Sequence, residues 1–100
     1  MDQIERITRY ERSLDRLNAA HAALGAALEE YEAVQAERRA LEAYYTGAQW
    51  RADLEDDEAG RLPADLKRGV LSEDAVYDAL EADRARLAQL LKTAARVLEG

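Results

Sequence analysis

The chain contains no cysteine, no phenylalanine, a single proline, a single tryptophan and no long apolar run. The absence of cysteine excludes disulfides, thiolate catalysis and cysteine-ligated metal sites. A bilayer-spanning helix needs about 20 consecutive apolar residues, which the sequence does not offer. Its first residues also lack the basic segment and apolar stretch of a signal peptide. We therefore expect a soluble, cytoplasmic protein that does not enter a membrane.

Positive charge is also scarce. The sequence has 14 basic residues against 21 acidic ones, a net charge of −7. This balance argues against nucleic acid as a partner, because phosphate binding needs a concentrated positive surface. One hundred residues are enough for one small domain. Only 6% of them are aromatic, so leucine must supply most of the core, a composition that suits packed helices.

No constellation typical of an enzyme is present. The sequence has no nucleophile elbow, no phosphate-binding loop and no zinc-protease motif. Its two serines, Ser13 and Ser72, lie in a helical pattern and at a helix start. We expect a non-enzymatic protein with no catalytic residues, no cofactor and no metal site.

Apolar residues recur at helical spacing over the first half of the chain. Two rows, three residues apart, repeat every seven residues, as in a coiled coil. They are Ile7, Leu14, His21 and Leu28, and Tyr10, Leu17, Leu24 and Tyr31. The pattern predicts one long helix over about 2–46.

The second half of the chain predicts three further elements. Thr46 and Gln49 have the spacing of a capping box, which indicates a short helix over about 47–58 that ends near Gly60. An ordered connector follows over about 59–72. Ser72 then precedes a helix over about 73–98 as its cap. We predict a single all-α domain, residues 1–100: a long antiparallel helical hairpin with the short helix and connector between its two long helices.

The two long helices differ in length. By the helical rise, the first spans roughly 66 Å and the last roughly 39 Å. Antiparallel packing would therefore leave a stripe at the start of the first helix facing water. We name it the N-terminal stripe: Ile4, Ile7, Tyr10, Leu14 and Leu17. Either the first helix breaks near Gly25 and folds back, or the stripe binds another chain. We favour the second alternative, a homodimer or a different protein partner, because no strong helix breaker lies within 2–46.

The segment from Tyr44 to Asp78 interrupts the helical pattern and concentrates the unusual residues. Its aromatic and basic side chains could form an interaction surface, since aromatics beside arginine are enriched at interface hot spots. The candidates are Tyr44, Tyr45, Trp50, Lys67, Arg68 and Tyr77. The plainer interpretation is a small core that pins the connector to the end of the hairpin.

The same segment allows a second function class. It could hold an anionic small molecule, or the acidic run Asp53–Glu58 could hold a metal ion. That run does not match the spacing of a calcium loop, and a solvated acidic face explains it more simply. An adaptor or small regulatory protein is the function we expect, with ligand binding as the alternative.

The irregular segment also resembles a known bacterial family, the one catalogued as domain of unknown function 4298. The resemblance rests on Tyr44-Tyr45, Trp50, Asp57-Glu58, Leu62-Pro63, the run from Asp65 to Asp74, and Tyr77-Asp78. The flanking helices match in pattern only. The resemblance implies a small helical bacterial protein and brings no activity and no catalytic residues.

Overall fold

The structure, a computed structural model, describes all 100 residues and contains helices and loops without strands. Its elements are α1 (Gln3–Ala33), α2 (Gln35–Tyr45), α3 (Ala48–Glu58), a 3₁₀ turn (Gly69–Leu71) and α4 (Glu73–Glu99). The predicted all-α class is confirmed. The chain falls into two compact units, residues 1–37 and 38–100. The assignment of all residues to one domain stays a prediction.

In the first unit, α1 begins at a capped N-terminus. The Asp2 side chain accepts a hydrogen bond of 2.8 Å from the backbone N–H of Glu5, as an N-cap should. The helix then runs through Gly25 without interruption, so the structure does not show the fold-back considered for that position. No residue of α1 is buried.

The predicted single helix over 2–46 is wrong in one respect: it is interrupted at Val34. The side-chain amide of Gln35 donates to the backbone oxygen of Tyr31 at 3.1 Å. That oxygen is the one to which the Gln35 backbone N–H points in a continuous helix. A side chain that enters the helical hydrogen-bond ladder is a known cause of such breaks, and apolar periodicity does not report it.

In the second unit, α2 from Arg38 onward packs antiparallel to α4. The Arg38 guanidinium lies 3.6 Å from the Asp83 carboxylate. Seven positions later, the Tyr45 hydroxyl donates to the backbone oxygen of Glu73 at 3.0 Å. Because the partner number on α4 falls as the α2 number rises, the helices run in opposite directions. Within residues 38–100, the predicted antiparallel hairpin is confirmed.

The turn from α2 to α3 forms differently from the predicted capping box. The Thr46 hydroxyl donates back to the Glu42 carbonyl at 2.9 Å, so it serves the end of α2. Gly47 occupies the N-cap of α3 without a side-chain hydrogen bond. A Cβ at Gly47 would lie 3.1 Å from the Ala43 oxygen. A side chain at this position would therefore be tight against the end of α2.

The end of α3 follows the prediction at Gly60, which has a φ of 72°. The Arg61 N–H bonds the Asp56 carbonyl at 2.9 Å, and the Gly60 N–H bonds the Asp57 carbonyl at 3.1 Å. This pair of bonds is a Schellman motif, which satisfies the last carbonyls of a helix and favours glycine in the left-handed position. It turns the chain sharply into the connector.

The core of the second unit is small. Three side chains are buried: Trp50 of α3, Leu71 of the 3₁₀ turn and Val76 of α4. Each belongs to a different element, and the 3₁₀ turn contacts both α3 and α4, so this core joins α3, the connector and α4. Farther along α4, apolar side chains remain exposed: Leu87, Leu91, Val97 and Leu98. None of the helices combines the length and the apolarity that crossing a bilayer requires.

Candidate interaction site

Trp50 is the centre of the connector structure. The residue is only 9% exposed, and its ring meets the Tyr45 ring edge-on, with centroids 5.0 Å apart. Its indole N–H donates to the Val70 carbonyl at 2.9 Å. A buried tryptophan needs such an acceptor to offset the loss of water. One side chain therefore holds the 3₁₀ turn against α3.

Arg68 fixes the other part of the connector. Its guanidinium donates to the Asp57 carboxylate on α3 and to the Pro63 carbonyl. The Nε atom also donates to the Leu66 carbonyl at 3.3 Å. A planar guanidinium has donors in several directions, so one arginine holds both ends of the loop. Most of its hydrogen-bonding capacity is used within the chain.

Tyr44 of α2 pairs with Asp53 of α3 across the turn. The phenol donates to the carboxylate at 2.5 Å. This hydrogen bond raises the pKa of Tyr44, and partial burial and the negative charge of Asp53 act in the same direction. All three disfavour the phenolate. The pair therefore closes α2 against α3 with a protonated tyrosine.

Beside this pair lies a shallow depression of about 270 Å³. Its wall is mainly apolar and also includes three charged side chains. The lining residues are Tyr44, Asp53, Leu62, Leu66, Lys67, Arg68, Val70 and Leu71. A second depression, of about 230 Å³, lies between α2 and α4 around the Arg38–Asp83 pair. Since Arg68 is already paired, Lys67 offers the available positive charge of the first depression.

The structure separates the six candidate surface residues into three groups. Tyr44, Lys67 and Arg68 meet at the depression. Tyr45 and Trp50 pack together, and Trp50 belongs to the core instead of a surface. Tyr77 is exposed on α4 and does not line the depression. The plainer interpretation, a small core that pins the connector, describes Tyr45 and Trp50, because their polar atoms bond the backbone.

The acidic run of α3 is more than a solvated face. Asp53 accepts from Tyr44, Asp57 from Arg68, and Asp56 lies 2.9 Å from the Arg61 guanidinium. No group of three or more histidine or acidic side chains is arranged to hold a metal ion. Asp53 and Asp57 are four residues apart and therefore lie on the same face of α3. This spacing is the feature of the sequence that indicates that both carboxylates can accept from neighbouring elements.

Sequence reasoning missed the apolar wall of the depression. Leu62, Leu66 and Val70 recur at intervals of four residues through the connector, but the proline among them removes any expectation of a regular helix. Only the folded loop brings these side chains together. The pairing of Arg68 with Asp57 was also missed, because only the folded loop brings these two side chains together.

The N-terminal stripe lies in the other unit and is exposed throughout. Its five members range from 51% exposed at Leu14 to 77% at Ile4. Leu24 and Leu28 continue the same heptad rows and are exposed as well. The association of this stripe with another chain remains a prediction.

A comparison with known protein families shows to which family this chain belongs. The family model for the domain of unknown function 4298 matches residues 7–93. The chain belongs to this family. The match includes α2, α3, the connector and most of α1 and α4, and the family description names no catalytic activity. No curated protein and no solved structure matches the chain.

Proposed function

We propose that this member of the family is a non-enzymatic interaction protein, an adaptor or small regulatory protein of the bacterial cytoplasm, that forms a homodimer through α1. One observation carries the proposal. A helix of 31 residues with heptad-spaced apolar side chains buries none of them. Large exposed apolar patches in soluble proteins mark interaction sites. Sustained apolar heptads are typical of helices that pair with another helix.

The energetics favour association. Full burial of one large apolar side chain stabilises by about 1.5–3 kcal/mol, so covering the exposed part of each stripe residue contributes about 1–2 kcal/mol. Five such residues on each of two chains contribute about 10–20 kcal/mol in all. Loss of translational and rotational freedom on association costs about 4–15 kcal/mol. Burial of the stripe therefore offsets this cost over most of the two ranges.

The test compares molar mass in solution across two matched variants. Leu14→Gln with Leu17→Gln places two amides in the stripe, and we expect this variant to be monomeric by light scattering. Ala19→Gln with Ala26→Gln adds two amides on the opposite face of the same helix and should remain dimeric. Circular dichroism of both variants checks that α1 stays helical. A monomeric wild type at tens of micromolar would contradict the homodimer.

The depression beside Tyr44 supports an alternative function. Its apolar side chains and the positive charge of Lys67, which also lines it, suit a small apolar molecule that carries one negative charge. We place this second to the interaction function, because Arg68 is neutralised by Asp57 and Asp53 is bonded to Tyr44.

Thermal unfolding with a panel of carboxylates and phosphate esters tests the alternative. A ligand that binds here should raise the unfolding temperature of the wild type and of Lys67→Gln to different extents. The chain has a second lysine far along α4, and Lys92→Gln serves as the control. Equal shifts in Lys67→Gln and Lys92→Gln would exclude Lys67 as the residue that contacts the ligand. If no compound shifts the unfolding temperature, ligand binding is excluded for the compounds of the panel.

A further inference from the structure

Charge is distributed unevenly along α1. All four of its basic residues lie in the first half, at Arg6, Arg9, Arg12 and Arg16. From position 17 to the helix end it has no lysine or arginine, and its acids there are Glu29, Glu30 and Glu32. The first half also carries three acids, Glu5, Glu11 and Asp15, so its net charge is +1 (four arginines less three acids), against −3 for the second half.

This distribution is unfavourable for an isolated helix. The C-terminus of a helix carries the negative end of the macrodipole and favours basic residues. The last turn of α1 has no basic residue and ends instead in the glutamate cluster. A sequence that departs from a local preference usually compensates for it elsewhere. Positive charge beside the last two turns of α1 would supply this compensation.

We infer that α1 pairs with α1 of a second copy in antiparallel orientation, so that the arginine half of each helix lies along the glutamate half of the other. This inference rests on the proposed function, which requires association but sets no direction. The two helix dipoles then oppose each other, and the N-terminus of one helix supplies the positive end missing at the C-terminus of the other. The same helix supplies both complementary halves, so the partner is a second copy of this chain.

The apolar rows are compatible with this direction. When the pair is centred at Ala19, each member of one row meets a member of the other row, as antiparallel coiled coils require. The layers are Ile7 with Tyr31, Tyr10 with Leu28, Leu14 with Leu24, and Leu17 with His21, each member from a different copy. Every large residue of the two rows has a partner in this register.

A parallel pair would be less favourable on three counts. It would place the glutamate clusters of both chains at the same level, where like charges repel. It would align the two helix dipoles in the same direction. It would also put the two His21 side chains against each other in one layer, whereas the antiparallel register places each beside a leucine.

Distances between identical labels separate the two directions. The chain has no cysteine, so Glu5→Cys and Ala19→Cys each provide one attachment site for a nitroxide. The two positions are 14 residues apart and lie on the same outer face of the heptad. With a rise of about 1.5 Å per residue, antiparallel pairing separates two labels at position 5 by about 42 Å along the axis. Labels at position 19 lie at nearly the same level, separated only by the width of the pair, about 20 Å.

Pulsed electron paramagnetic resonance on the full chain reads these distances. A long distance at position 5 with a short one at position 19 supports the antiparallel pair. Short distances at both positions would overturn it and leave the homodimer intact. Absence of any intermolecular distance, together with a monomer mass, would overturn both the orientation and the homodimer.

Discussion

Replacement of Trp50 tests whether three buried side chains organise the second unit. Trp50 is 9% exposed and contacts Tyr45 through an edge-on ring pair. It also donates to the Val70 carbonyl at 2.9 Å. Two variants separate these contributions. Trp50→Ala removes the ring and the hydrogen bond, and Trp50→Phe keeps an aromatic ring without the donor.

The expected magnitudes follow from these contacts. Truncation of a buried tryptophan to alanine costs about 3–5 kcal/mol. Loss of the hydrogen bond alone costs about 1 kcal/mol, at the low end because Val70 is partly exposed and its carbonyl can bond water. Folded domains have about 0.05–0.15 kcal/mol of stability per residue. For the 63 residues of the second unit (38–100), this gives about 3–9 kcal/mol. Trp50→Ala should therefore remove a third or more of its stability.

The assay is urea unfolding followed by far-ultraviolet circular dichroism, because the variants lack the only tryptophan and fluorescence cannot be compared. Leu98→Ala is the control, since that leucine is 86% exposed and its loss should change stability by less than about 0.5 kcal/mol. The free energy of unfolding should be lowest for Trp50→Ala, much higher for Trp50→Phe and highest for the wild type. If Trp50→Ala unfolds within about 1 kcal/mol of wild type, the reasoning about this core is refuted.

Two further predictions concern the same unit. The raised pKa of Tyr44 means that folding favours the protonated phenol, so its stabilising effect is complete below the ordinary value of 10.0 and disappears as pH rises through the higher folded pKa. In an ultraviolet titration of tyrosinate, Asp53→Asn should lower the Tyr44 pKa, with Tyr44→Phe identifying its signal; an unchanged titration would contradict the pairing. Gly60→Ala should destabilise by about 1 kcal/mol in urea unfolding, because φ at this position is positive and alanine resists that conformation. Gly69→Ala, with open space around it and no positive φ, should be near neutral, and equal effects at both glycines would exclude backbone strain as the cause.

The structure also changes which variants are informative for interaction studies. Sequence reasoning placed Trp50 among the surface candidates, but its burial makes any replacement a folding variant first. Lys67 and Tyr77 are exposed, so their substitution changes the surface with little effect on the core. Loss of binding after a change at Trp50 would not separate unfolding from a lost contact.

Much of the helical organisation was predictable because its causes act over a few residues. Heptad spacing predicted α1 through Gly25, and the glycine at position 60 marked the end of α3. The interruption at Val34 was not predictable, since the Gln35 amide can bond water as well as the Tyr31 carbonyl. The prediction that Thr46 caps α3 was wrong for a similar reason, because its hydroxyl can form a hydrogen bond with either of the two adjacent helices.

By itself, the sequence determined the all-α class and the apolar stripe of α1, because periodicity and charge order are properties of position along one helix. Tertiary structure alone decided which aromatic side chains are buried. The bond from Trp50 to Val70 spans 20 residues, and the pair of Tyr44 with Asp53 spans nine. Such contacts depend on how the connector returns to α3, which no local pattern encodes. For this reason, the sequence could name the residues of the connector but not separate its core from its surface.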